Sequence, residues 1–317
     1  MIKKTISIVI PVFNEGDAIE RHLPVIFENI KQIKEINISI LVVDDGSTDN
    51  TAEKLKKLCE LYNRLNFICF NRNFGKEAAI NAGLQQSDTD AVIVMDSDLQ
   101  HPPQLIDKMI ALWRQGIDVV EAYKICRGKE SYLSRLMGHG FYGLFGILSG
   151  MNIKNHSDFK LLDRKVVDAY CAMPEKKRFF RGIIPWLGFS SAQIPFEVPD
   201  RLHGVTAWSR LKLLKFSFTA ITSFSTVPLQ IITFLGVLCF IISFIIGSLA
   251  LYHKYMGNAV SGFTTVILLI LIIGSLLMIA LGVIGIYIAH IYDEVKRRPD
   301  YLIDPNKSQS HKILLTD

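Results

Sequence analysis

Ala91-Val92-Ile93-Val94-Met95-Asp96-Ser97-Asp98 runs five apolar residues into two carboxylates spaced two apart. A short, unbroken apolar run of this kind reads as a strand buried on both faces, as in a parallel sheet. Residues two apart on an extended chain project to the same side, so Asp96 and Asp98 leave the strand's carboxyl end together. Open α/β sheets bind their ligands at that end. Hard oxygen donors placed there suit Mg²⁺ or Mn²⁺ bridging to phosphate oxygens. A second apolar run, 38–43, ends in the same way, in Asp44-Asp45-Gly46-Ser47. By local chemistry alone, Asp44 and Asp45 equally suit an Asx turn.

Outward from these two runs, apolar patterning predicts further strands over 6–11, 67–70, 118–122, 159–162 and 191–198. Helices are expected over 19–33, 51–62, 76–85, 102–115, 132–149 and 164–173. Ser47 or Asp49 would cap the second of these, and prolines lie near the start of the fourth. Repeated β-α-β units imply an α/β fold with a parallel, doubly wound sheet. No Gly-x-Gly-x-x-Gly follows any of the runs, so the usual dinucleotide-binding fingerprint is missing.

The last third of the chain is different in kind. No Lys, Arg, Asp or Glu occurs in 216–252 or in 256–292. About 20 apolar residues suffice to cross a bilayer, so two spans are expected, near 227–251 and 264–289. Arg210, Lys212 and Lys215 precede the first, and Lys296, Arg297 and Arg298 follow the second. Positive flanks favour the cytoplasm, which would place the preceding domain and both termini there. Leu211, Leu214, Phe218 and Ile221 recur at helical spacing just before the first span, the pattern of an amphipathic helix lying in the interface. The expected organisation is therefore a catalytic domain over 1–207, a juxtamembrane helix over 208–225, a two-helix hairpin over 226–291 and a tail over 292–317. After Asp304 that tail is expected to be polar and loosely ordered. Gly285 and Ala289 form a small-xxx-small pair that permits close helix approach, and a homo-oligomer is expected. The net charge of +5 suits anionic lipid rather than nucleic acid. Met1-Ile2-Lys3-Lys4 leads straight into a strand, so no signal peptide is expected. The five cysteines (59, 69, 126, 171 and 239) show neither metal nor disulfide spacing and fit a reducing cytosol. His101, His139 and His156 lack paired ligand spacing.

Taken together, the motifs resemble a known family. Ile10-Pro11-Val12-Phe13-Asn14-Glu15, Val43-Asp44-Asp45-Gly46-Ser47-Thr48-Asp49, Asn71-Arg72-Asn73-Phe74-Gly75-Lys76 and Asp96-Ser97-Asp98-Leu99-Gln100-His101-Pro102-Pro103 resemble family 2 of the inverting glycosyltransferases. With the paired spans, the chain is similar to the polyprenyl-phosphate group, and most to the bactoprenol glucosyl transferases. The resemblance implies a GT-A fold, Rossmann-like with a mostly parallel sheet, and a nucleotide-sugar donor. It implies that Pro11 and Glu15 line the nucleotide pocket and that Asp44 contacts the base. Arg72 and Lys76 would lie near the nucleotide, Asp96 near ribose or sugar, and Gln100 beside the donor sugar. Asp98 would hold Mg²⁺ or Mn²⁺ on the diphosphate. Asp158, in Ser157-Asp158-Phe159-Lys160, corresponds to a catalytic aspartate, and Arg181, in Arg178-Phe179-Phe180-Arg181-Gly182, to an arginine closing over the diphosphate. Many relatives carry Gly-x-Ser/Thr-Lys before the interfacial helix; here Gly204-Val205-Thr206 runs into Ala207. The acceptor phosphate would then rest on Arg201, Arg210 or Lys212.

The expected reaction moves a hexose, glucose by preference, from UDP-glucose to undecaprenyl phosphate with inversion. A phosphate monoester with a second pKa of about 6 is already largely dianionic at neutral pH and needs positioning more than deprotonation. Asp158 is therefore expected to orient the acceptor or stabilise positive charge, as well as or instead of acting as base. Local readings stay open at this stage: a cap or surface carboxylate for Asp158, a neutralising partner for Arg181 and a helix cap for Glu15. Two rival functions stay open as well. A processive polysaccharide synthase would carry Gln-x-x-Arg-Trp, whereas this chain has Arg181-Gly182-Ile183-Ile184-Pro185-Trp186. A nucleotide-sugar sensor without turnover would not need Asp96, Asp98 and Asp158 together.

Overall fold

In the computed structural model, which describes residues 3–124, 157–175, 178–196, 227–256 and 262–309, the alternating patterns become alternating elements. They are β1 (Thr5–Val12), α1 (Gly16–Lys31), β2 (Asn37–Asp44), α2 (Thr51–Leu61), β3 (Leu65–Cys69), α3 (Lys76–Gln86), β4 (Ala91–Val94), α4 (Leu105–Arg114) and β5 (Val119–Lys124). There follow β6 (Lys160–Asp163), α5 (Arg164–Ala172), α6 (Phe180–Trp186) and β7 (Ser191–Phe196), then two long helices, α7 (Val227–Tyr255) and α8 (Phe263–Val295). Every residue of β4 is buried, which is why its sequence carries no polar alternation. Pro102 and Pro103 form a turn ahead of α4, their carbonyls accepting the Leu105 and Ile106 amides. Asp49, not Ser47, serves the start of α2: its Oδ1 accepts the Thr51 amide at 3.0 Å.

The strands form one sheet in the order β3-β2-β1-β4-β6-β5-β7. β1 pairs in parallel with β2 and β4, β2 with β3, and β5 with β7. The sheet is mostly parallel, as expected, and β6 is the exception. This strand runs antiparallel to both β4 and β5. A cross-strand ion pair fixes its register: Lys160, fully buried, faces Glu121 with Nζ 2.5 Å from Oε1. An unpaired charge at such depth is costly, so a one-residue slip of β6 would be strongly opposed. The core lies between the sheet and its flanking helices. On α3, Gly83 lets the helix backbone come close to β1, since a Cβ there would sit 2.2 Å from Val9 Cγ1.

The tail departs from expectation. Rather than trailing away after Asp304, the chain returns to the sheet's edge. Phe67 exchanges both backbone hydrogen bonds with Gln309, and the Asp304 amide donates to the Cys69 carbonyl at 2.8 Å. Tyr301 stacks on Phe70, with centroids 5.0 Å apart, and its hydroxyl donates to Gln85. An edge strand is an open row of donors and acceptors, and this return occupies the outer edge of β3. Residues 299–309 accordingly fall in the same compact unit as the sheet.

The second unit holds α7 and α8. Leu229–Leu249 and Ile272–Val295 are long and apolar enough to cross a membrane, and neither stretch is buried within the protein. Phe234, Phe240, Phe244 and Ile284 are among the large apolar side chains they expose. The two expected spans fall inside these helices, and the pair fits two transmembrane helices. The helices expected over 132–149 and 208–225 lie outside the described residues, as do Arg201, Arg210 and Lys212.

Candidate active site

β1, β2 and β4 end side by side, and a cleft of about 360 Å³ opens at their carboxyl ends. Pro11, Glu15, Asp45, Lys76, Asp96 and Asp98 are on its wall. The turn after β4 that carries the two aspartates is held from several sides. Ser97 donates its hydroxyl to Glu15, its carbonyl meets His22 Nδ1 at 2.7 Å, and the Asp96 amide approaches His101 Nδ1 at 3.4 Å. His101 in turn stacks on Phe159. Leu99 takes φ 55°, a left-handed backbone that a leucine adopts only when its surroundings impose it. Asp98 is exposed, and its Oδ1 accepts the Gln100 amide at 3.0 Å.

Glu15 begins α1 but does not cap it through its side chain. Its carboxylate faces the cleft instead, where burial raises its pKa and the nearby Asp98 and Asp96 raise it further. Asp44 and Asp45 divide their roles in a way that two identical neighbours could not reveal in sequence. Asp44 is almost wholly buried and closes the turn: its Oδ1 accepts the Ser47 amide at 3.0 Å and the Ser47 hydroxyl at 2.5 Å. The Asx-turn reading therefore describes its conformation, and the structure gives it no place on the cleft wall. Asp45 is on the wall, and its carboxylate accepts the Phe74 amide at 2.7 Å and the Gly75 amide at 2.9 Å. Burial still pushes its pKa up. The sequence places Asp45 in the acidic turn but singles out Asp44 for the nucleotide; the Phe74-Gly75 turn that Asp45 holds is the signal that separates the two.

Gly46 makes this junction possible. Its φ is +68°, and a Cβ there would lie 2.3 Å from the Arg72 carbonyl carbon. Gly46→Ala is expected to destabilise the fold by about 2–4 kcal/mol, adding a left-handed alanine to an overpacked contact. Denaturant unfolding measures that loss. Arg72 itself is exposed, with its guanidinium 4.3 Å from the centre of the Phe74 ring.

Beside the cleft, four charged side chains form one network. Lys76 Nζ lies 2.5 Å from Asp96 Oδ1 and 2.8 Å from Asp158 Oδ2. Arg181 grips the same carboxylate with both arms, Nε to Oδ1 at 2.6 Å and Nη2 to Oδ2 at 2.8 Å. Burial alone would raise the Asp158 pKa, but Arg181 and Lys76 overcome it and hold the carboxyl well below the usual range. Burial likewise opposes charge on Lys76, and Asp96 and Asp158 reverse that, raising its pKa. Asp158, Asp96 and Arg181, expected together, are thus brought together, and Lys76 is the link that spacing alone did not give. An aspartate this firmly ionised is a poor proton acceptor.

Lys76's neighbour Glu77 was not singled out in the sequence. Its Oε2 accepts the Phe180 amide at 3.0 Å, and burial pushes its pKa up to about 7. The folded state therefore holds a proton that the unfolded chain, at the ordinary value of 4.5, gives up. That contribution to stability is complete below the unfolded value and is lost as pH rises towards 7. The Glu77→Gln protein should accordingly gain melting temperature over wild type at about pH 8 and show little gain at about pH 4.5. Thermal unfolding at the two pH values checks the sign.

Residues 7–173 match the family described as glycosyl transferase family 2. The chain belongs to glycosyltransferase family 2. This family 2 glycosyltransferase is 37% identical over 300 residues to an uncharacterized glycosyltransferase of Synechocystis sp., covering 94% of each chain. It is 36% identical to the prophage bactoprenol glucosyl transferase homolog of Escherichia coli, covering 94% of this chain and 98% of the relative. Identity to the bactoprenol glucosyl transferase of Shigella phage SfII is also 36%, over 94% and 97% of the two chains. Among solved structures, mannosyl-3-phosphoglycerate synthase from Rubrobacter xylanophilus shares the fold, at a TM-score of 0.51 and 18% identity over 69% of this chain and 73% of that one. The fold is GT-A, and the protein is a glycosyltransferase.

Proposed function

We propose that this glycosyltransferase moves glucose from UDP-glucose to a polyprenyl phosphate, undecaprenyl phosphate in a bacterial membrane, with inversion at the sugar. The observation that carries the reading is the meeting, at one end of the sheet, of an acid-lined cleft with the Lys76–Asp158–Arg181 network. Relatives of matching length that are named bactoprenol glucosyl transferases support the acceptor and the sugar.

The cleft's chemistry also supports a divalent cation. Glu15, Asp45, Asp96 and Asp98 face an anionic donor with Lys76 as the cation on the same wall, a balance that repels a diphosphate unless positive charge is added. Among the described residues no three His, Cys, Asp or Glu side chains converge to cage a metal. That fits Mg²⁺ or Mn²⁺ held by one carboxylate, donor phosphates and water, with Asp98 as the protein's ligand. When bound, the ion would neutralise charge on the departing diphosphate.

The chain's own residues do the rest. Pro11, Glu15, Arg72 and Gln100 form the surroundings of the donor, and Asp44 sets the turn from which Asp45 faces it. Lys76 and Arg181 offer positive charge where the diphosphate leaves and the lipid phosphate arrives. Asp158 holds both cations and remains an anion, stabilising positive charge that develops on the sugar. It is not the base, since a dianionic phosphate attacks without losing a proton. Arg201, Arg210 and Lys212 are the proposed contacts for the acceptor phosphate. α7 and α8 would anchor the enzyme in the bilayer, and Gly285 and Ala289, exposed one turn apart on α8, would allow a second copy to approach closely. The pairing of the tail with β3 supports an even number of crossings, and the positive flanks of the hairpin support the cytoplasm as the side of both termini.

Membranes containing the protein, incubated with labelled nucleotide sugars and polyprenyl phosphate, test the reading. Label extracted into organic solvent from UDP-glucose alone is expected. Insoluble polymer would indicate a processive synthase, and binding without product a sensor.

A further inference from the structure

Arg181 is the second residue of α6, a seven-residue helix whose first residue is tied to α3. Glu77 and Asn81 stand one turn apart on α3 and share a face. Asn81 Oδ1 accepts from Arg178 Nη1 at 2.6 Å, while the other arm of Arg178 reaches the Met173 carbonyl at 2.7 Å. Glu77 accepts the Phe180 amide at 3.0 Å, one peptide before Arg181. Lys76, the adjoining residue on α3, meets the same carboxylate that Arg181 grips. One helical turn thus supplies the lysine and holds the arginine.

We propose that Glu77 is a positioning residue for the transfer reaction, its carboxylate fixing Arg181 onto Asp158 by accepting the Phe180 amide. The inference rests on the reading of Arg181 and Asp158 given above. Glu77 is not among the residues on the cleft wall, and the polar contact of its carboxylate is the Phe180 amide of α6. Its effect passes through the backbone of α6. A displacement of the order of 1 Å in a group facing the reacting atoms can cost about 10²-fold in rate.

The test uses the full-length protein in membranes, with radiolabelled UDP-glucose and polyprenyl phosphate. Glu77→Met keeps the volume and removes the acceptor; Glu77→Gln keeps both. Glu77→Met should lower kcat about 10–100-fold at a temperature well below its melting point, and Glu77→Gln should recover at least about tenfold of that loss. In an Arg181→Ala background, Glu77→Met should cost less than about threefold more, because the two act as one unit. Undiminished kcat in Glu77→Met overturns the inference. So does an equal cost in the Arg181→Ala background, which would mark a general effect on the fold. Full activity in Arg181→Ala alone would instead remove the reading of the site, and this one with it.

Discussion

Asp158→Asn is expected to lose about 10²–10³-fold in kcat at every pH between about 6 and 9, with a pH–rate profile parallel to that of wild type. Asparagine keeps the shape of the side chain and discards the charge that two cations share. Arg181 would lose its two-armed partner, and Lys76 would be left to Asp96. Both cations would then settle where the neighbouring acids draw them rather than where a leaving diphosphate needs them. The profile carries the mechanistic content. Lys76 and Arg181 hold the Asp158 carboxyl ionised far below neutrality, so no ionisation of this residue falls within the assay range. Steady-state transfer measured across that range decides it. A variant profile missing an ionisation near neutrality would make Asp158 the base.

Asp98→Ala is expected to abolish transfer to within the assay background, a loss of about 10³-fold or more, and excess chelator should do the same to wild type. Asp98 stands exposed at the cleft, steadied by the Gln100 amide, beside three other carboxylates. Without added positive charge that wall repels the donor. Restoring Mg²⁺ or Mn²⁺ should recover the chelated wild type and leave Asp98→Ala inactive. Calorimetry with UDP gives a second readout: wild-type affinity should depend on the metal, and the variant's should not. Full turnover in chelator would refute the metal's part.

Much of this was legible because it is local. Apolar runs ending in acidic turns identify strands and the end of the sheet that binds, and the charge-free stretches identify the two long helices. What escaped depends on chain returns. Lys76 and Asp158 meet across 82 residues, and the reversed strand β6 depends on an ion pair between Glu121 and Lys160 that no periodicity announces. Asp44 and Asp45 are the same residue twice, and only the exit geometry of β2 decides which one reaches the cleft. Glu77 follows a lysine in an ordinary helix; its meaning lies in the amide of a residue 103 positions on. The tail's pairing with β3 spans 239 residues between Cys69 and Ser308, and its polar composition resembles that of any frayed terminus.

That return also decides how the enzyme can be taken apart. Cutting the chain ahead of the apolar hairpin would discard the peptide that covers β3, and the liberated piece would present a bare strand to its own copies. A water-soluble version is better obtained by excision than by truncation: the hairpin replaced by a short flexible linker, with residues 299–309 kept in the same polypeptide.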